Sequence, residues 1–501
     1  MYHTIQAPDA SETINVRNAL QLANSDLDEL DNDIAHAEAV LDALRRKHEG
    51  IHQFIIKHDA FMAFIRRLSR DVLTKIFMLC MSGPGMSSFD LKHSPLLVGQ
   101  VCVGWRKVAL STQALWSSIT VTHNQPSVEA VNLWISRAMS VPLTIHLDST
   151  VFSRTRHIRP ALAALVQYCD RWKDLSLCIE ERMVSRLYSI KHRLPWLESL
   201  QIQNAKESQS WRLSQELDIF ELAPRLRNLS LGPGIFHARL KIPWRQLTEL
   251  TVHLNNITEG LDILRLVPNL VKCILYNAPS MSEASEPILP PQTLLEFPRL
   301  RSFSVLRSVR PNEIFKHLEL PIIHALHIEC GNEERRDAWF SRQPFMSLLS
   351  RSSHTLRKLE IDCLRVDEDT VHIAHCLRAM PALAELSLRG SGCWITADFL
   401  CLLTRLPDID GLVPDLEVLE MGGHSMPCHE CASMIESRWR VTGARLKKLN
   451  IEMVVTEDWL VDPEILKRLR KCRQEGMVIS IVDTTKRWNL LDSYEPTDVV
   501  D

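Results

Sequence analysis

A short apolar signature returns throughout the last two-thirds of the chain, and its spacing allows few folds. The form is L-x-x-L-x-L with apolar substitutes. Clear copies are Leu197-x-x-Leu200-x-Ile202, Leu226-x-x-Leu229-x-Leu231, Leu247-x-x-Leu250-x-Val252 and Leu300-x-x-Phe303-x-Val305. Further on come Leu356-x-x-Leu359-x-Ile361, Leu383-x-x-Leu386-x-Leu388, Leu416-x-x-Leu419-x-Met421 and Leu446-x-x-Leu449-x-Ile451. Weaker copies start at Trp172, Leu270 and Ile323, and successive starts lie 21 to 33 residues apart, averaging near 27. Alternating apolar residues turn one face of a short strand inward. Proline precedes several copies, at Pro195, Pro224, Pro268, Pro298, Pro381 and Pro414. It ends a preceding helix and cannot join a central ladder, so it marks where each strand begins.

Segments between copies are expected to supply helices that cover the strands. Val128, Val131, Ile135 and Met139 form one apolar stripe, Ala161, Leu165 and Cys169 another, Ile373, Leu377 and Met380 a third. A buried Leu or Ile contributes roughly 1.5–3 kcal/mol, while ordering a residue costs about 1–2 kcal/mol. One unit with a few anchors therefore cannot fold alone, but a stack of about eleven can. The pattern resembles leucine-rich-repeat domains with irregular copies; the Asn usual after the last Leu is mostly absent, Asn255 and Asn256 coming nearest. The expectation is an irregular α/β solenoid over residues 120–485, with loops at 277–294 and 331–342. A closing unit follows: a helix from Asp462-Pro463 through Lys471, then a strand at 477–482. Residues 486–501 are expected to be a flexible tail.

Residues 14–58 read as one long helix, after a flexible stretch at 1–13. Leu20, Leu27, Ile34 and Leu41 sit seven apart, and Ala23, Leu30, Ala37, Leu44 and Ile51 fall three later, an a/d heptad seam. Asp26, Asp28, Glu29, Asp31 and Asp33 lie toward its first half and Arg45, Arg46 and Lys47 near its end, in keeping with the helix dipole. Two readings stay open: self-association through residues 14–58, or a helix packed on its own chain.

The stretch from 65 to 119 contains two apolar helical patterns around a loop. Leu68, Val72, Leu73, Ile76, Phe77 and Cys80 recur at steps of three and four, and so do Val98, Val101, Cys102, Trp105 and Val108, with Leu115-Trp116 closing the unit. So small a unit cannot bury all of these faces against one another. Leu68, Asp71-Val72-Leu73, Ile76-Phe77, Ser94-Pro95, Val101-Cys102-x-x-Trp105-Arg106 and Leu115-Trp116 resemble an F-box, in the form common in mushroom-forming fungi. The family usually has Pro after the leading Leu and Glu two residues later; here Ser69 and Asp71 stand there. Ser can cap a helix and Asp suits its positive end. The resemblance implies a small all-α F-box domain over residues 62–119 that docks on a Skp-family adaptor and so on a cullin–RING ubiquitin ligase. It implies adaptor contacts, or the small core that presents them, at Leu68, Asp71, Val72, Leu73, Ile76, Phe77, Val101, Cys102, Trp105 and Trp116.

A 45% hydrophobic, 24% charged chain of 501 residues reads as globular. Its formal net charge of −3 gives no basic field for nucleic acid or an anionic membrane. No run of about 18 apolar residues suggests a membrane span, and MYHTIQAPDASE lacks a basic-then-apolar signal. Thirteen scattered cysteines suit reduced thiols, hence cytoplasm or nucleus.

Nothing in the chain calls for bond chemistry. Cys428-His429-Glu430-Cys431, with His424 nearby, offers two thiols where a closed zinc site needs four ligands. It reads as a loop-to-helix turn. His372 and His375 have i,i+3 spacing but no third ligand, and Gly422-Gly423-His424 reads as a strand-end turn. No phosphate-cradling glycine motif occurs. Trp134, Trp172, Trp196, Trp211, Trp244, Trp339 and Trp394 stand mostly beside repeat strands, where core packing is the default and partner binding the alternative. The fold class expected is α+β: a long helix, a small all-α F-box, then the repeats. The function expected is a non-enzymatic substrate-recognition subunit without cofactor or metal, binding a protein substrate of unknown identity through the repeats. The alternative is a repeat scaffold whose F-box-like fold does not bind the adaptor.

Overall fold

The structure is a computed structural model. It describes residues 10–62, 68–81, 88–92, 95–122, 127–150, 158–206, 216–277, 294–308, 311–330, 342–352, 355–364, 367–390, 394–405, 411–423, 427–440, 445–453, 463–484, 488–489 and 491. Two compact units divide the chain, residues 1–79 and residues 80–501. The division falls inside the 62–119 stretch.

The first unit holds helix α1 (Ala10–Met62) and helix α2 (Arg70–Leu79). Over its 53 residues α1 has no proline, and its one glycine, Gly50, has nothing near it for a Cβ to meet. The helix therefore runs unbroken and starts earlier than expected. Residues 10–13, assigned above to a flexible stretch, are helical, where Ala10 and Glu12 favour a first turn.

The second unit opens with α3 (Val98–Val101) and α4 (Val103–Ser111), then a 3₁₀ turn (Gln113–Trp116) leads into strand β1 (Ser118–Val121). The 62–119 stretch is thus not all helical: its last residues already belong to a sheet. After β1 come α5 (Val128–Ala138), β2 (Leu143–Asp148), α6 (Ile158–Val166), β3 (Trp172–Ile179), α7 (Glu181–Val184), β4 (Ser199–Asn204), β5 (Asn228–Leu231) and β6 (Glu249–Leu254). Then follow α8 (Ile257–Leu266), β7 (Lys272–Asn277), β8 (Leu295–Glu296), β9 (Ser302–Ser308), α9 (Pro311–Phe315), β10 (Leu318–Glu319), β11 (Ala325–Cys330), α10 (Arg342–Ser352) and β12 (Lys358–Leu364). The rest are α11 (Asp367–Arg378), β13 (Glu385–Gly390), α12 (Ala397–Leu403), β14 (Val418–Gly423), α13 (Cys428–Arg440), β15 (Lys448–Met453), α14 (Pro463–Gln474), β16 (Val478–Asp483) and β17 (Trp488–Asn489).

Fifteen of these strands form one sheet in which each pairs with its successor in the chain, β8 and β10 standing aside as a separate pair. All neighbours are parallel except β16 and β17. The register is set by the repeat. One apolar row runs Ile119, Ile145, Leu175, Leu200, Leu229, Leu250, Cys273, Phe303, Leu326, Leu359, Leu386, Leu419, Leu449, Ile479. A second runs two residues further along each strand, from Val121 to Ile481, and both rows are buried throughout. The first Leu of each copy lies just ahead of its strand and is buried too, as are the residues before the prolines, such as Leu194, Ala223 and Met380. The six prolines all sit in turns. Past each turn, paired backbone N–H groups donate to one carbonyl of the preceding strand segment: Arg227 and Asn228 to Glu198, Ala384 and Glu385 to Arg357.

Three expectations change here. Between β4 and β6 the described residues carry short turns (His237–Arg239, Trp244–Gln246) in place of a covering helix, because Pro224, Pro233 and Pro243 interrupt any longer run. The stripe on α5 is Val131, Trp134, Ile135 and Ala138; Val128 and Met139 lie at its exposed ends. Residues 486–501 are not wholly a tail. Trp488 and Asn489 pair with β16, the Asn489 carboxamide accepts from Ile481 and Leu491 N–H, and Leu491 is buried. The loops expected at 277–294 and 331–342 lie almost wholly outside the described residues, as do Trp211, Trp339 and His424.

Candidate docking surfaces

In the first unit the hallmark residues occupy α2 and the two positions before it. Ser69 accepts the Val72 N–H on its hydroxyl at 3.4 Å and the Leu73 N–H on its carbonyl at 3.0 Å, and Asp71 lies in the first turn. The helix is apolar on two faces. Leu73 and Phe77 are buried, Leu68 and Ile76 are half-buried, and Val72, Met78 and Leu79 are exposed, Leu79 by 87%. A lone exposed Leu means little, but three around so short a helix form an uncovered apolar strip.

The remaining hallmark residues lie in the second unit. The helical pattern from Val98 to Val108 continues through Cys102, yet the backbone there is extended, at φ −161° and ψ 169°. Cys102 is not a mid-helix residue: its Sγ accepts the Trp105 N–H at 3.4 Å and starts α4 afresh. Val98 and Val101 therefore do not share a helix face with Trp105 and Val108. Val101 and Val103 are exposed, as are Leu97 and Leu110, while Cys102 and Trp105 are half-buried. Trp116 is buried, its indole N–H donating to Ala109 O at 2.9 Å, with the Arg137 guanidinium 4.4 Å over its ring. Its ring meets Trp134 edge-on at 4.7 Å, and Phe89 lies 5.0 Å from Trp134. Trp116 is a core post at the start of the sheet, not a surface contact.

The other tryptophans divide. Trp134, Trp172 and Trp394 are buried, Trp394 donating to Gly422 O at 2.8 Å. Trp196 is 44% exposed beneath Arg225, whose guanidinium stands 3.8 Å from the ring. Cys428 and Cys431 lie on α13, not in a turn, and burial pushes the Cys431 thiol far up. Among the described residues no group of three or more His, Cys, Asp or Glu side chains could hold a metal, and no helix is long and apolar enough to cross a membrane.

A surface that the sequence reading missed lies on the sheet. Opposite the apolar rows, the outward residues of successive strands form rows of their own. From β1 to β6 one such row is neutral or weakly basic: Thr120, His146, Ser176, Gln201, Ser230, Thr251. From β11 to β15 it becomes ionic. His327 lies 3.4 Å from Glu360 through Nδ1 and 3.2 Å from Asp362 through Nε2. Lys358 reaches Glu360 at 2.7 Å and Glu385 at 3.6 Å, and Glu420 sits 3.2 Å from both Arg389 and Lys448. The Asp362 hydrogen bond pulls His327 above the usual imidazole range, opposed by partial burial and helped by Glu360 and Glu329. Between the two halves His253 and Tyr276 stack at 4.5 Å and 8°. Apart from Lys358 and Glu360, two positions apart on one strand, these partners stand about 23 to 35 residues apart in the chain, so only parallel, in-register pairing brings them together. The clue available was the polar residue between the last two leucines of each copy.

No family model matches the chain, and no curated protein does either. Among solved structures the chain is similar to a protein from Bacteroides fragilis at 14% identity, covering 68% of this chain and 88% of that one, with a TM-score of 0.33. It is similar also to the Rad7 and Elc1 complex of yeast at 14% identity, covering 89% and 96%, with a TM-score of 0.32. Neither likeness assigns a function.

Proposed function

We propose that the chain is a substrate-recognition subunit of a cullin–RING ubiquitin ligase. It would dock a Skp-family adaptor through an F-box spanning α2 to α4 and hold a protein substrate on a leucine-rich-repeat solenoid. The observation that carries this reading is the uncovered apolar strip of α2. Val72, Met78 and Leu79 are exposed around a helix whose opposite face, Leu73 and Phe77, is already buried. A second apolar group, Leu97, Val101, Val103 and Leu110, is exposed on and around α3 and α4. Such surface is what a partner subunit would cover.

The sheet supports the second half of the reading. Each strand of the large sheet pairs only with the sheet strands before and after it in the chain, as stacked repeats do, and its ionic row from β11 to β15 offers charge-patterned recognition. The protein itself would carry out no bond chemistry, in cytoplasm or nucleus. Its contribution would be proximity: a bound substrate meets the ubiquitin-carrying enzyme at high effective concentration.

The test is affinity capture of the full chain and of Val72→Asp/Leu79→Asp, both sites being exposed so that the fold is kept. The reading expects Skp-family and cullin components with the wild type, and their loss with other partners retained in the variant. Absence of those components from the wild-type capture leaves the scaffold reading.

A further inference from the structure

The seam of α1 is an apolar surface that faces solvent over most of a 53-residue helix. Every described side chain from 13 to 56 is exposed, with Leu27, Leu30, Ile34 and Leu44 each between 56% and 59%. Packing within its own unit therefore does not cover it. Extended over the helix, the a positions are Leu20, Leu27, Ile34, Leu41, His48 and Ile55, and the d positions are Val16, Ala23, Leu30, Ala37, Leu44 and Ile51.

We propose that α1 pairs with α1 of a second copy of this chain, and that the two run antiparallel. The charges beside the seam select both the partner and the direction. At e positions stand Asp31, Glu38 and Arg45; at g positions stand Asp26, Asp33 and Lys47. In a parallel pair each g residue meets the e residue five further along the partner. Asp26 would then face Asp31, and Asp33 would face Glu38, on both flanks. Antiparallel pairing instead sets e against e and g against g. With the two-fold axis beside residue 39, Asp31 faces Arg45 and Asp33 faces Lys47, each twice. The same register puts Leu27 against Ile51, Leu30 against His48, Ile34 against Leu44 and Leu41 against Ala37, so each of these layers joins an a position to a d position and His48 is its one polar member. Glu38 meets its own copy at the axis, the one like-charged contact among these pairs. Arg45 lies 3.7 Å from Asp42 on its own helix, but both side chains are well exposed, and such a pair yields readily to a partner carboxylate. The interface is self-complementary, as a two-fold dimer requires, and it uses none of the residues assigned to the adaptor.

Sedimentation equilibrium of the full chain tests it. The wild type should be a dimer at about 50 µM, a concentration well above the Kd of a stable pairing. Asp31→Lys/Asp33→Lys should weaken the dimer by about tenfold or more, since four attractive contacts turn repulsive. Arg45→Glu/Lys47→Glu should do the same, and an equimolar mixture of the two variants should pair again as a heterodimer. The recovery on mixing shows that neither variant is merely misfolded. A monomeric wild type overturns the proposal. So does a dimer that Asp31→Lys/Asp33→Lys leaves unchanged or tightens, tightening being the mark of a parallel pair.

Discussion

Two charged residues show how single side chains are used in this sheet. Arg438 on α13 is 2% exposed and pairs with no carboxylate among the described residues; its guanidinium donates to Leu403 O, Leu412 O and Val413 O. Burial, and then the nearby Arg405, pulls its pKa down to about 10, still charged at neutral pH. Val413 has φ of 46°, an unfavourable backbone for a β-branched residue. The buried cation holds this turn by its carbonyls, just ahead of β14. Arg438→Met should leave those carbonyls without donors and cost about 2–4 kcal/mol, read from denaturant midpoints. His327 behaves oppositely in sign. Its folded pKa lies above the unfolded value, so its contribution is complete below about pH 6.5 and is lost as the pH rises through the folded value. Urea unfolding should therefore show a larger gap between wild type and His327→Gln at about pH 5.5 than at about pH 8.5. A gap that grows with pH would remove the paired imidazolium from the account.

At the scale of elements, α2 joins two demands on one short helix. Its inner face is core and its outer face is bare. Phe77→Ala should cost about 3–5 kcal/mol, whereas Val72→Asp, at an exposed site, should stay within about 0.5 kcal/mol. Thermal unfolding of both variants checks the contrast, and equal losses would mean that Val72 is covered. The apolar spacing of α2 was legible in the chain, but which apolar residues turn inward was not, since Val72 and Leu73 are equally hydrophobic. The break at Cys102 was illegible for a different reason. Helical periodicity runs straight through it, and only the thiol's acceptance of the Trp105 N–H marks the new start. The helix-start role of Ser69 could be read, because a hydroxyl before an acidic first turn has one common use. Asn256 does the same for α8, accepting the Glu259 N–H at 2.8 Å, while Glu259 reaches back to the Asn255 N–H at 2.9 Å.

Over the whole molecule, the sheet is a chain of nearest neighbours. Leu388 is buried and pairs with Ile361 and Met421 on the flanking strands. Leu388→Ala should cost about 2–5 kcal/mol, and the loss should stay local. Hydrogen exchange should speed up in β12 to β14 and remain unchanged in β2 to β4. Uniform loss of protection would show that the fifteen strands open as one body. The sequence alone determined the strands and their inward faces, because a leucine period near 27 residues leaves an alternating segment one way to hide its apolar side. It determined the unbroken α1 as well, since nothing in that stretch can stop a helix. Tertiary structure decided what stands beside what: the ionic row of His327, Glu360 and Asp362, the grip of Arg438 on a strained turn, and the pairing of Trp488 and Asn489 at the sheet's end. The first two depend on partners about 25 to 35 residues distant in the chain, and local spacing carries no information about residues that meet only after the strands have stacked. The third joins near neighbours in the chain, but only once β16 has a place in the sheet.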